Sequence, residues 1–148
     1  MRTILTAAAV AAALATAASG ANAQTAPRTY DLGPVWEIGY VETKPGMFDD
    51  YMAYLNTTWR TIQEENKKKG DVLDYRILSI DSPRDGEPDV ILMIQYKNMG
   101  VFDRSLDETD ATQAKAFGSV IKSNQAAVSR ESLRKLRGGM TARELKFK

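Results

Sequence analysis

The 148-residue chain contains no cysteine and no histidine. Without histidine there is no Ser-His-Asp machinery, no imidazole zinc site and no proximal ligand for haem. Without cysteine, thiol catalysis, iron–sulfur clusters and thiolate zinc sites are excluded as well. No glycine-rich loop follows a strand and opens a helix, so a phosphate cradle is missing too. A hard-metal site would need carboxylates at set spacings. The segment Asp81 to Gly86 superficially resembles a calcium loop, but Pro83 occupies a ligand position and Leu92 stands where the closing carboxylate belongs. It reads as a polar hairpin loop turning at Asp85-Gly86. The chain therefore reads as using neither metal nor cofactor.

Charge of one sign is not in excess either. Lys plus Arg number 20 against 19 Asp plus Glu. Arg2 is the only charge in the first 23 residues, so beyond them the count is 20 − 1 = 19 against 19, a net charge of zero. A neutral chain has no global field to attract nucleic acid. The basic C-terminal stretch, from Arg130 to Lys148, spreads over two elements and reads as cations on a helix end and an edge strand.

What is present begins with an export signal. Residues 1–23 carry Arg2, then a nearly unbroken run of Ala, Val, Leu and Ile, then the small-x-small site Ala21-Asn22-Ala23. The apolar run is shorter than the ~20 residues of a bilayer span and is mostly alanine. We expect cleavage after Ala23, a bacterial periplasmic or secreted destination, and no stable membrane anchor afterwards. About 125 residues remain, enough for one domain and not two. With no disulfides available, that domain must be stabilised by packing.

Residues 24–33 read as a loose leader, and residues 34–148 as the single domain. Val35 to Thr43 alternates, with Trp36, Ile38 and Tyr40 on one side and Val35, Gly39 and Val41 on the other, which predicts a strand. A helix is predicted from Met47 to Lys69, with Phe48, Tyr51, Met52, Leu55, Trp59 and Ile62 as its apolar stripe and Gly70 as its cap. Strands are predicted at Val72–Asp81 and Asp89–Lys97. One long second helix is expected from about Thr109 to Leu136, stopped by Gly138-Gly139, and a closing strand at Met140–Phe147. The order β-α-β-β-α-β predicts an α+β, ferredoxin-like fold: a four-stranded antiparallel sheet with two helices on one face. The third strand is apolar at consecutive positions, Val90 to Ile94, so both of its faces call for burial. A homodimer packed sheet to sheet is the economical cover, since a two-fold contact is self-complementary.

These features, with Lys44-Pro45-Gly46 after the first strand, the helix carrying Phe48, Tyr51, Leu55 and Trp59, and the strand pair at Tyr75 and Met93, resemble the dimeric α+β barrel superfamily. The resemblance implies two units closing sheet to sheet into a barrel, each with a pocket between sheet and helices. Several members of that group hold haem through histidine, which this chain lacks.

Trp36, Tyr40, Trp59, Tyr75 and Tyr96 are the candidate pocket residues, since Tyr and Trp join apolar bulk to a hydrogen-bonding tip. Their plain alternative is core packing. Arg76 alternates with Tyr75 and is expected on the opposite face. Two functions follow. The first is an exported homodimeric domain that binds a small apolar or aromatic molecule, or a protein. The second, which the resemblance implies, is a cofactor-independent oxygenase or isomerase on an aromatic or apolar substrate. Tyr40, Trp59 and Tyr75 would then be the catalytic candidates, and Asn66 a further one.

Overall fold

The computed structural model describes residues 27–148. The expected signal segment, residues 1–23, and the first part of the leader lie outside the described residues. The elements are β1 (Tyr30–Thr43), α1 (Phe48–Tyr54), a π-helical turn (Leu55–Trp59), α2 (Arg60–Lys68), β2 (Val72–Ser79), β3 (Val90–Tyr96), a short 3-10 turn (Met99–Phe102), α3 (Leu106–Phe117), α4 (Val120–Arg130) and β4 (Arg134–Phe147). The four strands form one antiparallel sheet in the order β2-β3-β1-β4. This is the ferredoxin-like arrangement.

The first helix runs where its stripe places it. Asp49 and Asp50 in the first turn and Lys67 and Lys68 in the last complement its dipole. At its end Gly70 N–H donates to the Lys67 carbonyl at 2.9 Å and Asp71 N–H to the Asn66 carbonyl at 3.1 Å, the paired bonds of a Schellman cap. The π turn has a geometric cause. The residues turned inward are Tyr51, Leu55, Trp59 and Gln63, a uniform spacing of four. In a regular α-helix each such step drifts by about 40°. One wider turn takes up that drift and keeps Trp59 over the sheet. The inward residue at the next turn is accordingly Gln63, which is buried, while Ile62 faces α3 instead.

The expected single second helix is two helices, and it starts earlier. Ser105 accepts from Glu108 N–H and Glu108 answers at the Ser105 backbone, so α3 begins with a capping box. Gly118 then takes a left-handed φ of 84° and ends α3, and Ser119 caps α4 by accepting from Lys122 N–H. Three successive turn bonds, the last from Leu133 N–H to the Arg130 carbonyl, close α4 before β4.

Both outer ends of the sheet are longer than expected. β1 begins at Tyr30, inside the expected leader, because Tyr30 to Leu32 pair with Phe147 to Leu145. Gly138 and Gly139 lie within β4 and do not stop a helix. The register shifts between Tyr40 and Val41 of β1, leaving Arg137 unpaired as a bulge beside Gly138, whose φ of 107° only glycine adopts readily.

The compact core lies on the helix side. Val41, Tyr51, Leu55 and Val90 are essentially inaccessible, with Met52, Tyr54, Trp59, Leu92 and Leu133 packed against them. Burying side chains of this size stabilises by about 1.5–3 kcal/mol each. α3 and α4 contribute no buried residue. They are tied to the first helix by Lys115 to Glu65 at 3.0 Å and by Arg130 over the Tyr54 ring, and Arg104, just before α3, pairs with Asp71, just after α2. The helix side of the sheet is therefore only partly filled. On the opposite face the register gathers Trp36, Ile38, Tyr40, Leu78, Ile91, Met93 and Met140, and no helix or strand among the described residues packs over them.

Candidate functional site

The gap in the helix layer is a cleft of about 500 Å³ above the middle of the sheet. Its floor is Gly39 of β1, flanked by Leu92 and Ile94 of β3 and by Thr141 of β4, and Trp59 stands as its wall. Gly39 makes the cleft deep. A Cβ placed on it meets nothing within 4 Å, and its backbone has no left-handed φ that would demand glycine. Glycine inside a strand costs stability and marks places where another group approaches the backbone. Trp59 sits in the π turn, a geometry found frequently at functional sites. Its ring is braced edge-on by Tyr75, with centroids 5.3 Å apart.

The polar end of the cleft is Glu37. Its Oε2 accepts the Tyr96 hydroxyl at 3.0 Å, and the Tyr96 ring packs edge-on against Phe102 at 4.9 Å. Burial, then the adjacent Glu37 charge and its hydrogen bond, hold the Tyr96 phenol well above the usual range. The pair is thus a protonated phenol donating to a carboxylate. Among the described residues no intramolecular partner engages the Trp59 indole N–H or the Thr141 hydroxyl.

The five aromatic candidates are divided by the sheet. Trp59 walls the cleft, Tyr96 supports its polar end through Glu37, and Tyr75 lies behind Trp59. The Tyr75 hydroxyl donates to Glu64 Oε1 at 2.5 Å, and that bond, followed by burial, raises its pKa. Trp36 and Tyr40 project from the other face of β1. There Arg76 stacks over Trp36 at 5.5 Å, and the Tyr40 hydroxyl rests 4.0 Å from the Met140 sulfur. The reason is the strand's two-residue period: Trp36 and Tyr40 share a parity that Gly39 and Val41 do not. Arg76 and Tyr75 do lie on opposite faces. Asn66 is elsewhere again, lining a separate groove of about 500 Å³ between α2 and α3 with Thr58, Ile62 and Lys69; its Oδ1 is buried without a hydrogen-bond partner.

Glu37 and Gly39 are the site residues that sequence reasoning missed. Both carried a signal. They are a charge and a missing side chain on the face of β1 that otherwise presents Val35 and Val41 to the core. Among the described residues no group of three or more carboxylates converges as a metal site would require, and no helix is long and apolar enough to cross a membrane.

No protein-family model matches this chain, and no curated protein matches it. Solved structures do. HapK from Hahella chejuensis is similar over 74% of this chain and 91% of its own, with a TM-score of 0.52 at 6% identity. A protein of Shewanella oneidensis covers 79% of this chain and 98% of its own, with a TM-score of 0.49 at 12% identity. A dimeric ferredoxin-like protein from an uncultured marine organism covers 76% and 94%, with a TM-score of 0.45 at 17% identity. At these identities the likeness is one of fold alone.

Proposed function

We propose that this chain is an exported, homodimeric binding domain whose cleft takes a small apolar or aromatic molecule. The observation that carries the reading is the unfilled space over Gly39, walled by Trp59 and ended by Glu37. A concave, mostly apolar site with a few polar groups at one end is the general form of a small-molecule pocket. Export rests on the character of residues 1–23. The dimer rests on the apolar sheet face around Ile38 and Met93, which a second copy of the same face would bury. Native mass spectrometry of the protein recovered from its own cell envelope tests all three at once. The expected result is a doubled mass starting at Gln24, with a retained small molecule. A monomer that starts at Met1 and carries nothing would overturn the reading.

The Glu37–Tyr96 pair favours a second reading, a cofactor-independent isomerase. A carboxylate at the end of an apolar cleft can accept a proton from a bound substrate, and the neighbouring phenol can steady it. In that case Glu37, and not Tyr40, is the group to remove. Activity retained in Glu37→Gln would dismiss this reading.

A further inference from the structure

The electrostatics of the cleft narrow the class of molecule it can take; this step rests on the binding reading above. Glu37 is the one charged residue among those lining the cleft, and among the described residues it makes no ion pair. Tyr96 occupies Oε2 and leaves Oε1 open to a ligand. No cation lines the cleft. Arg104, whose charge reaches Tyr96, is held by Asp71, and Arg143 donates to the Gly33 carbonyl at 3.3 Å. Arg76 belongs to the opposite face of the sheet. The floor and walls are apolar or aromatic, and Gly39 leaves a flat opening beside Trp59.

We infer that the cleft selects aromatic molecules that carry a hydrogen-bond donor or a positive charge, and rejects aromatic carboxylates. The ring lies between Trp59 and the sheet, and its N–H, O–H or ammonium group meets Glu37 Oε1. A carboxylate in that position would face a like charge with no cation in the lining to offset it, and charge-assisted hydrogen bonds to an ionised acceptor are roughly twice as strong as neutral ones.

Three probes with one ring test this: indole, tryptamine and indole-3-acetate, titrated calorimetrically into the exported form of wild type and of Glu37→Gln. Wild type should bind tryptamine at least tenfold more tightly than indole-3-acetate, with indole between them. Glu37→Gln should bring the two charged probes within about threefold of each other. Equal affinity for the two in wild type, or an unchanged ratio in Glu37→Gln, overturns the charge selection while leaving the cleft as a binding site. If none of the three binds, the binding reading itself fails and the selection falls with it. Thermal melting of the variant controls for folding, and Glu37→Asp, which keeps the charge, should retain the wild-type order.

Discussion

The Tyr96 hydroxyl donates to Glu37 Oε2 across 3.0 Å, joining β3 to β1 at the mouth of the cleft. Burial and the bond hold the Tyr96 phenol protonated, because a phenolate there would lose solvation and face the Glu37 charge. In an alkaline absorbance titration, the component lost in Tyr96→Phe should ionise later than an ordinary tyrosine. Glu37→Gln should shift that component to lower pH, since it removes the repelling charge. The Tyr96→Phe substitution itself should cost about 1 kcal/mol in denaturant unfolding, the net worth of one hydrogen bond.

Tyr51 predicts how stability falls in alkali. Burial pushes its phenol up to about 12, against the opposing charge of Arg134. The unfolded chain ionises this group near 10, whereas the folded chain keeps it neutral. Stability from this term is thus complete below pH 10 and is lost as pH rises from 10 to 12. The loss should be on the order of 2–3 kcal/mol. Chemical denaturation across that window should show the decline, and Tyr51→Phe should flatten it.

Gly39→Leu should close the cleft from below. The new side chain enters open space on an ordinary strand backbone, so the melting temperature should hold or rise. Binding of indole-type probes should weaken at least tenfold. Calorimetry and melting curves on the same preparation separate the two effects, and unchanged binding would place the ligand elsewhere.

Ile38→Glu addresses the open face. Ile38 lies at its centre, opposite Met93 and Met140. Wild type should scatter light as a dimer, and the variant, which sets two like charges against each other across a two-fold contact, as a monomer.

The π turn offers a deletion experiment. Removing Thr57, which is exposed, should convert Leu55–Trp59 to regular helix and leave Trp59 over the sheet, because it then follows Tyr51 by seven residues, two turns of an α-helix. Helical circular dichroism should persist, and probe affinity should stay within about threefold of wild type. A tenfold loss of affinity would tie the π turn itself to the site.

Local chemistry was enough to read much of this molecule. The first helix was legible because its stripe, its end charges and Gly70 all agree. The order of elements along the chain followed from four strand-like runs in their places. The second helix was misread where one local signal has two uses. Gly118-Ser119 is a stop followed by a start, and Gly138-Gly139 is a strand bulge that looks like a helix cap.

The residue sequence alone determined the chemistry open to the chain. The absence of Cys and His removes whole classes of site, and the period of each segment assigns its element, because both depend only on residue type and spacing. The tertiary structure decided which residues meet. Trp36 and Tyr40 were separated from Trp59 by the thickness of the sheet, and Gly39 became a floor only when a helix with a π turn set Trp59 beside it. Those outcomes depend on strand register and helix phase, where a shift of one residue reverses a face, and that information resides in the packing of distant segments and not in any one of them.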